Sequence, residues 1–446
     1  MQPTARPYFF RATVVKYCVP VSVAIIGSGI AGLAAAHALV GRADVTMFEA
    51  ALRPGGHVHT VHADGQAIDM GFIVCNRERY PHFFALLREL GVTTRPTTMS
   101  FSVVHDGLEW GSESLSAMFA DRRRLVDARH WRFLVEVMRF LARGRRDLGS
   151  ELVARASLDE YLAERRVSAD VRERFVVPLA AALWSLAPAL CGAFPAVTYL
   201  RFLEQHGMLS PVLPLAWHTI VGGSRRYVDA LLAHLAARPH GQFALHLGAR
   251  IETVVRDARG VTIVTAGDGR EHRFDRVILA THADTALALL AAPSEPERRV
   301  LGAFRYSPNR TILHTDRAFL PSRPAAHAAW NYVDDPDSAR VAVTYSMTRL
   351  QGLPDTPYLV TLNPRRPPRG ILHDVTFAHP QLDRAALAAQ AELPRLNGTQ
   401  RTYYAGAHFG FGFHEDGMRA GLGAAARVLA DTTRGADVIA VDEGVA

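Results

Sequence analysis

Between positions 27 and 32 the sequence reads Gly27-Ser-Gly29-Ile-Ala-Gly32, directly after the β-branched run from Val21 to Ile26. Gly27 allows a tight turn, Gly29 lets backbone approach a pyrophosphate, and Gly32 lets a helix pack closely on the strand. The N-terminus of that helix then faces a phosphate with unpaired N–H groups and the positive end of its dipole. Glu49 follows a second apolar run, Val45 to Phe48. Its carboxylate can accept hydrogen bonds from a ribose 2′-OH and disfavours a 2′-phosphate. This spacing signals a bound dinucleotide without choosing between NAD and FAD. Arg53-Pro-Gly55-Gly56-His57 adds a glycine pair able to bring a second backbone segment against the pyrophosphate and ribityl chain, which favours FAD.

The second chemically rich stretch lies near the other end. Two histidines, two acids and three phenylalanines fall between His408 and Asp416. An oxidation that passes hydride to flavin N5 needs a base for the second proton. His408, His414 and Glu415 are the candidates, because imidazole titrates near neutral pH and a desolvated carboxylate can be tuned upward. The plainer reading is that the phenylalanines pack a core and the imidazoles bond to backbone.

The elements that must position these groups are legible in outline. The run from Val21, the glycine turn, an alanine-rich segment from Ile30 to Val40 and the run from Val45 form one strand, turn, helix, strand unit. From Pro81 to Trp217 the pattern changes to amphipathic helical segments, and β-branched runs return at Ile251, Val261 and Val277. Tyr403-Tyr-Ala405 leads into another glycine-rich turn and helix. The expected architecture is α/β, with a Rossmann-type domain assembled from 21–75, 217–290 and 400–435. A discontinuous α+β substrate domain takes 76–216 and 291–399, flanked by an N-terminal extension, 1–20, and a C-terminal tail, 436–446.

Taken together, these motifs resemble the flavin-containing amine oxidoreductase superfamily, which includes monoamine oxidases, protoporphyrinogen oxidase and carotenoid desaturases. The resemblance also rests on Asp69-Met-Gly71-Phe, Gly222-Gly223, Phe274 to Thr281, Ala405-Gly406 and Glu415-Asp-Gly417-Met418. The stretch from Tyr404 to Gly417 is similar to a bacterial subgroup of FAD-binding proteins often encoded beside cyclopropane-fatty-acid-synthase-like methyltransferases. The resemblance implies noncovalent FAD, with Gly27, Gly29, Ile30 and Ala31 on the pyrophosphate and Glu49 on the adenosine ribose. It places Gly56 and His57 along the cofactor, although arginine is usual where His57 stands. Ile251 would offer its backbone to adenine, Gly406 would approach the ribityl chain, and Met418 would begin a helix aimed at flavin O2. It further implies oxidation, with desaturation preferred, of a hydrophobic substrate, lipid acyl chains first. Amine oxidation at an unconventional N5 site and an accessory role beside a lipid methyltransferase are the alternatives, with an NAD-dependent dehydrogenase behind them. Many amine-oxidising members carry a lysine at N5, whereas the sole lysine here is Lys16.

Composition bounds the rest. A chain of 446 residues with 49% hydrophobic and 21% charged residues is a folded, multidomain protein. Fifty basic and 43 acidic residues leave +7, spread too evenly to signal nucleic-acid binding. Cys18, Cys75 and Cys191 form no CxxC pair, so neither a disulfide framework nor a metal site is expected, and a reducing, cytoplasmic setting fits. The charge-free stretch from Val19 to Val40 is glycine-punctuated and reads as buried strand and helix rather than a membrane span. Trp131, Leu134, Met138 and Leu141 follow helical spacing among Arg129, Arg132, Arg139, Arg143, Arg145 and Arg146. Such a face could rest peripherally on an anionic inner-membrane surface, and more commonly it is a packed domain edge with a solvated basic side.

Overall fold

Successive side chains of the first strand point into two different buried layers: Val23 and Ile25 into one, Ala24 and Ile26 into the other. A strand buried on both faces must be apolar throughout, which explains the uninterrupted hydrophobic run. The computed structural model describes residues 21–184, 188–209, 215–239, 241–333, 342–354 and 356–442. The expected extension 1–20, with Cys18 and Lys16, lies outside them.

Five parallel strands form the central sheet, in the order Phe243–Leu247, Asp44–Glu49, Ser22–Ile26, Arg276–Leu279, Thr402–Tyr404. They come from three distant stretches of sequence, 22–49, 243–279 and 402–404. One face is covered by helices Ile30–Leu39, Pro81–Glu89, Arg225–Ala236 and His414–Asp442. The other carries a three-stranded antiparallel sheet, Ile251–Asp257, Gly260–Thr265 and Glu271–Phe274, together with helices Ala283–Leu289 and Glu295–Leu301. Phe83, Leu86 and Leu87 share the first of these cores, and Leu393 and Leu396 the second. The packing thus runs across sequence positions 75 and 400. Helix His414–Asp442 also continues past 435, where the tail was expected to begin.

Beside this layer stands a seven-stranded mixed sheet, ordered Ile371–Gln381, Arg305–His314, Leu359–Leu362, Val343–Ser346, Trp330–Val333, Phe101–His105, Leu108–Gly111. A helical layer that includes Ala128–Asp147 packs on its far end through Phe133, Val137 and Phe140. The expected apolar stripe on that helix divides. Leu141 is buried and Leu134 partly so, while Trp131 and Met138 are about half exposed. Among the described residues, no helix is long and apolar enough to cross a membrane.

Two backbone approaches lock the glycine turn. Gly27 adopts φ +101°, a left-handed conformation open to glycine, and a Cβ on Gly32 would sit 2.0 Å from the Gly27 carbonyl oxygen. From the opposite side, a Cβ on Gly421 would lie 2.1 Å from Ala31 O, so helix His414–Asp442 rests on the backbone of Ile30–Leu39. Gly421→Ala should therefore cost about 1–3 kcal/mol through overpacking. Gly423→Ala, two residues on and facing open space, should be neutral or stabilising by up to about 1 kcal/mol. Urea denaturation of the two variants checks this; equal stabilities would show that the helix crossing is not tight.

Candidate functional site

Where the parallel strands end, their following turns converge. Gly27, Gly29 and Ile30 follow the first strand, Glu49 ends the second, Ala280 to His282 follow Arg276–Leu279, and Gly406 to His408 follow Thr402–Tyr404. All of these residues line one cavity of about 540 Å³, whose opposite wall is the seven-stranded sheet through Tyr306, Trp330, Tyr345, Leu362, Phe377 and His379. A crevice at the carboxyl ends of parallel strands is where this architecture holds its ligands.

At one end stands the dinucleotide cradle. A Cβ on Gly29 would meet nothing within 4 Å, and the first turn of Ile30–Leu39 receives no side-chain cap. Its leading amides are therefore open to an anion. Gly55 donates from its N–H to Ser28 O at 3.0 Å, and a Cβ on Gly56 would approach Gly29 Cα to 3.0 Å. The second glycine segment is thus laid against the first. Glu49 accepts from Ser28 N–H at 2.9 Å and the Ser28 hydroxyl at 2.6 Å through Oε2, and from Ala51 N–H at 2.9 Å through Oε1. The acid fixes the turn as well as facing the cavity. These open amides, the close glycine backbones and a terminal carboxylate fit FAD.

Behind the cradle, Asp69 ties three elements together. It accepts from Ser224 N–H at 2.9 Å, the Ser224 hydroxyl at 2.7 Å, the Thr60 hydroxyl at 2.5 Å and the Gln351 amide at 3.2 Å. Burial raises its carboxyl to about 6 even so.

The other end of the cavity is aromatic and neutral. Met70, Phe72, Leu183, Trp184, Phe202 and Trp217 join the sheet residues in its wall. His57, His206, His282, His379, His408 and His414 also face it. Desolvation pushes His57, His408 and His414 down to about 3, and His206 and His379 down to about 4. His57 stacks on Phe377 with centroids 5.1 Å apart, and His282 stacks on Tyr306 at 4.2 Å. The Nε2 atoms of His57 and His408 are buried without a hydrogen-bond partner. Glu49 is the one charged side chain among the described lining residues.

The structure brings together Gly27, Gly29, Ile30, Ala31, Glu49, Gly55, Gly56, His57, Gly406, His408 and His414. Gly32 sits behind the turn, as its packing role requires. Ile251 begins a strand of the small antiparallel sheet and is buried in the adjoining core, away from the cavity lining. Two expectations are corrected. Glu415 faces away from the cavity: its carboxylate accepts from His82 N–H and Phe83 N–H, both at 3.1 Å, and pairs with His82 Nδ1 at 2.6 Å. It caps helix Pro81–Glu89, whose own N-cap, Tyr80, supplies no side-chain acceptor. Met418 does not begin the C-terminal helix, which starts at His414 and buries Met418 in the core. His414 is committed as well, with Nε2 2.8 Å from the Tyr227 hydroxyl and its ring stacked 3.7 Å from Phe72. Sequence reasoning missed His282, His379, Trp184 and Trp330. The strand-ending Thr281 pointed to His282, but no local pattern marks the other three.

The comparisons agree with this geometry. A family model described as flavin containing amine oxidoreductase matches residues 30–372. Polyamine oxidase 5 of Oryza sativa subsp. japonica is 41% identical over 92 residues, covering 20% of this chain and 18% of that protein. Coproporphyrinogen III oxidase of Mycobacterium tuberculosis is 42% identical over 83 residues, covering 17% and 18%. The chain therefore matches about a fifth of the length of these curated relatives. Among solved structures, cyclohexylamine oxidase from Brevibacterium oxydans superposes with a TM-score of 0.67 at 18% identity, covering 93% of this chain and 100% of that one. A fatty acid isomerase from P. acnes gives 0.66 at 17%, covering 91% and 98%. At these identities the likeness is one of fold. With most of its length matched by the family model and its glycine cradle at the ends of the parallel strands, the chain belongs to the flavin containing amine oxidoreductase family.

Proposed function

We propose that the protein is an FAD-dependent oxidoreductase that desaturates an acyl chain of a lipid. The observation that carries this reading is the wall of the cavity beyond Glu49: aromatic and aliphatic side chains with neutral imidazoles, and no arginine, lysine or further carboxylate among the described lining residues. An ammonium substrate would lack a carboxylate there, and a free fatty acid would lack a cation for its head, so each would carry an unpaired charge into the wall. An acyl chain whose polar head stays outside leaves nothing unpaired. A fatty acid isomerase is among the proteins of this fold, so the scaffold is compatible with such a chain. Exposed Leu125, Val126 and Trp131 stand among Arg122, Arg123, Arg129 and Arg132, a combination suited to an anionic lipid surface.

Bound FAD supplies a two-electron acceptor for a hydride, while the second hydrogen leaves as a proton and an acceptor such as O₂ reoxidises the cofactor. The chain's own residues bind and orient. Ile30 and Ala31 present amides to the pyrophosphate, Glu49 holds the turn and the ribose, and Trp184, Trp330 and Phe377 exclude water from the acyl chain. At neutral pH the buried imidazoles act as neutral hydrogen-bonding groups.

A second reading, amine oxidation, draws on the partial match to polyamine oxidases. Anaerobic titration decides between them: phospholipids with saturated or monounsaturated chains should bleach the oxidised flavin absorbance, and a panel of primary and polyamines should leave it unchanged. Bleaching by amines alone would overturn the acyl reading, and bleaching by neither would favour an accessory role beside a lipid-modifying enzyme. Glu49→Ala removes an acceptor of charge-assisted hydrogen bonds worth about 1.5–3 kcal/mol. It should weaken FAD binding by roughly ten- to a hundredfold, read as flavin lost on gel filtration.

The buried imidazoles also set a pH dependence. Each is held below its ordinary 6.5, so between about 6.5 and 3 to 4 the unfolded chain binds protons that the folded chain does not. Stability therefore falls as pH drops through that window, by up to about 2 kcal/mol per imidazole at pH 5. Asp69, raised to about 6, works in the opposite sense as a single group. Melting curves from pH 8 to 5 should show Tm falling, with a shallower slope in His408→Gln; an unchanged slope would show that His408 is not held neutral by burial.

A further inference from the structure

At the far end of helix Ile30–Leu39 from its glycine turn, His37, Glu89 and His234 come together from three helices. His37 Nε2 is 3.1 Å and His234 Nε2 3.4 Å from the same Glu89 oxygen, Oε1. One potential ligand atom from each residue lies within 4.8 Å of the others. The two imidazole rings are 5.8 Å apart at 37°. We infer that these three side chains bind one divalent cation of the Zn²⁺ class, with water completing the coordination.

Three observations support the inference independently of the flavin site. The first is distance. Tetrahedral zinc with ligands at about 2.0–2.1 Å separates them by roughly 3.3–3.4 Å, close to the 3.1 and 3.4 Å found here. The second is convergence: His234 Nε2, shielded from solvent and making no hydrogen bond, lies 3.4 Å from the Glu89 oxygen that His37 also approaches, on a side chain 31% exposed. The third is the local field. His37 lies in the last turn of Ile30–Leu39, Glu89 ends Pro81–Glu89, and His234 lies in the last turn of Arg225–Ala236. Three helix C-termini, each carrying a partial negative charge, thus converge on one point. Two imidazole nitrogens and a carboxylate suit a borderline-soft cation and leave a position open.

One group opposes the site. Arg238 Nη2 lies 3.7 Å from Glu89 Oε1, on a side chain 37% exposed at the rim. Its guanidinium competes with the metal and must swing into water when the metal binds. The arrangement without metal is a carboxylate shared by two imidazoles and this arginine, and the test separates the two.

The holoprotein, stripped with EDTA and dialysed, is titrated with ZnCl₂ by calorimetry, and its melting temperature is followed in parallel. The expected result is one Zn²⁺ per chain and a rise in Tm, because the metal binds the folded state. Loss of an outer partner of a metal site already costs 10- to 100-fold in affinity, so loss of a ligand in Glu89→Gln or His234→Ala should weaken binding more than about tenfold. Arg238→Ala should tighten it. Flavin content and the rate of flavin reduction should stay unchanged in Glu89→Gln. Absence of stoichiometric zinc in the wild type, or equal binding by the wild type and Glu89→Gln, overturns the inference and leaves an ordinary ion-pair cluster. Should His234→Ala fail to fold, Glu89→Gln carries the test alone, since that side chain is 42% exposed.

Discussion

The whole arrangement depends on how closely the backbone of Ile30–Leu39 can be approached from two sides. Gly32 brings this helix down onto the Gly27 carbonyl, and Gly421 brings the C-terminal helix down onto Ala31. Neither contact tolerates a methyl group. Because the helix is pinned at its first turn, its open amides point at the crevice where the strands end. Every other feature of the cradle is measured from that point: Ser28 holds Glu49, and Gly55 donates to Ser28. Position here comes from the main chain, which is stiffer than any side-chain network that could replace it.

A contrast in polarity divides the cavity. At the cradle end a carboxylate and peptide dipoles meet a charged cofactor. At the other end rings and methyl groups predominate, and the titratable imidazoles there, such as His57 and His408, are kept neutral by burial. The cradle end is built from backbone geometry, and the far end from desolvated side chains. An ion carried into a wall of this kind would go unpaired.

Local chemistry was readable from the sequence, and long-range chemistry was not. The glycine turn and Glu49 were legible because a tight turn, a close helix and a strand end are all fixed within about 25 residues. The strands at 22–26, 44–49 and 276–279 carried legible apolar runs, whereas the edge strand Phe243–Leu247 went unread. Glu415 was misread for a clear reason: in the sequence it sits in a histidine- and phenylalanine-rich stretch, whereas its partners, His82 and Phe83, come from a helix over 300 positions earlier. Met418 was misplaced because the helix starts a turn sooner, at His414. His379 and Trp330 lie on strands whose register with their neighbours decides which side chains face the cavity, and register is set by tertiary pairing. Asp69 belonged to a recognisable segment, but its role as the acceptor that joins Thr60, Ser224 and Gln351 appears only in three dimensions.

The order of strands in the parallel sheet has a bearing on biogenesis. Ser22–Ile26 and Arg276–Leu279 pair near the middle of the sheet, but Thr402–Tyr404 and the helix that follows it close one edge and one face. While a ribosome is still making the segments in between, Val23, Ile25 and Ala34 have no cover from that helix. The emerging polypeptide must therefore keep a greasy, half-built layer from sticking to its neighbours for most of its synthesis, the situation in which chaperones are needed. A message cut short before codon 402 would leave that layer permanently bare and would be expected to yield an aggregate instead of a weakened enzyme.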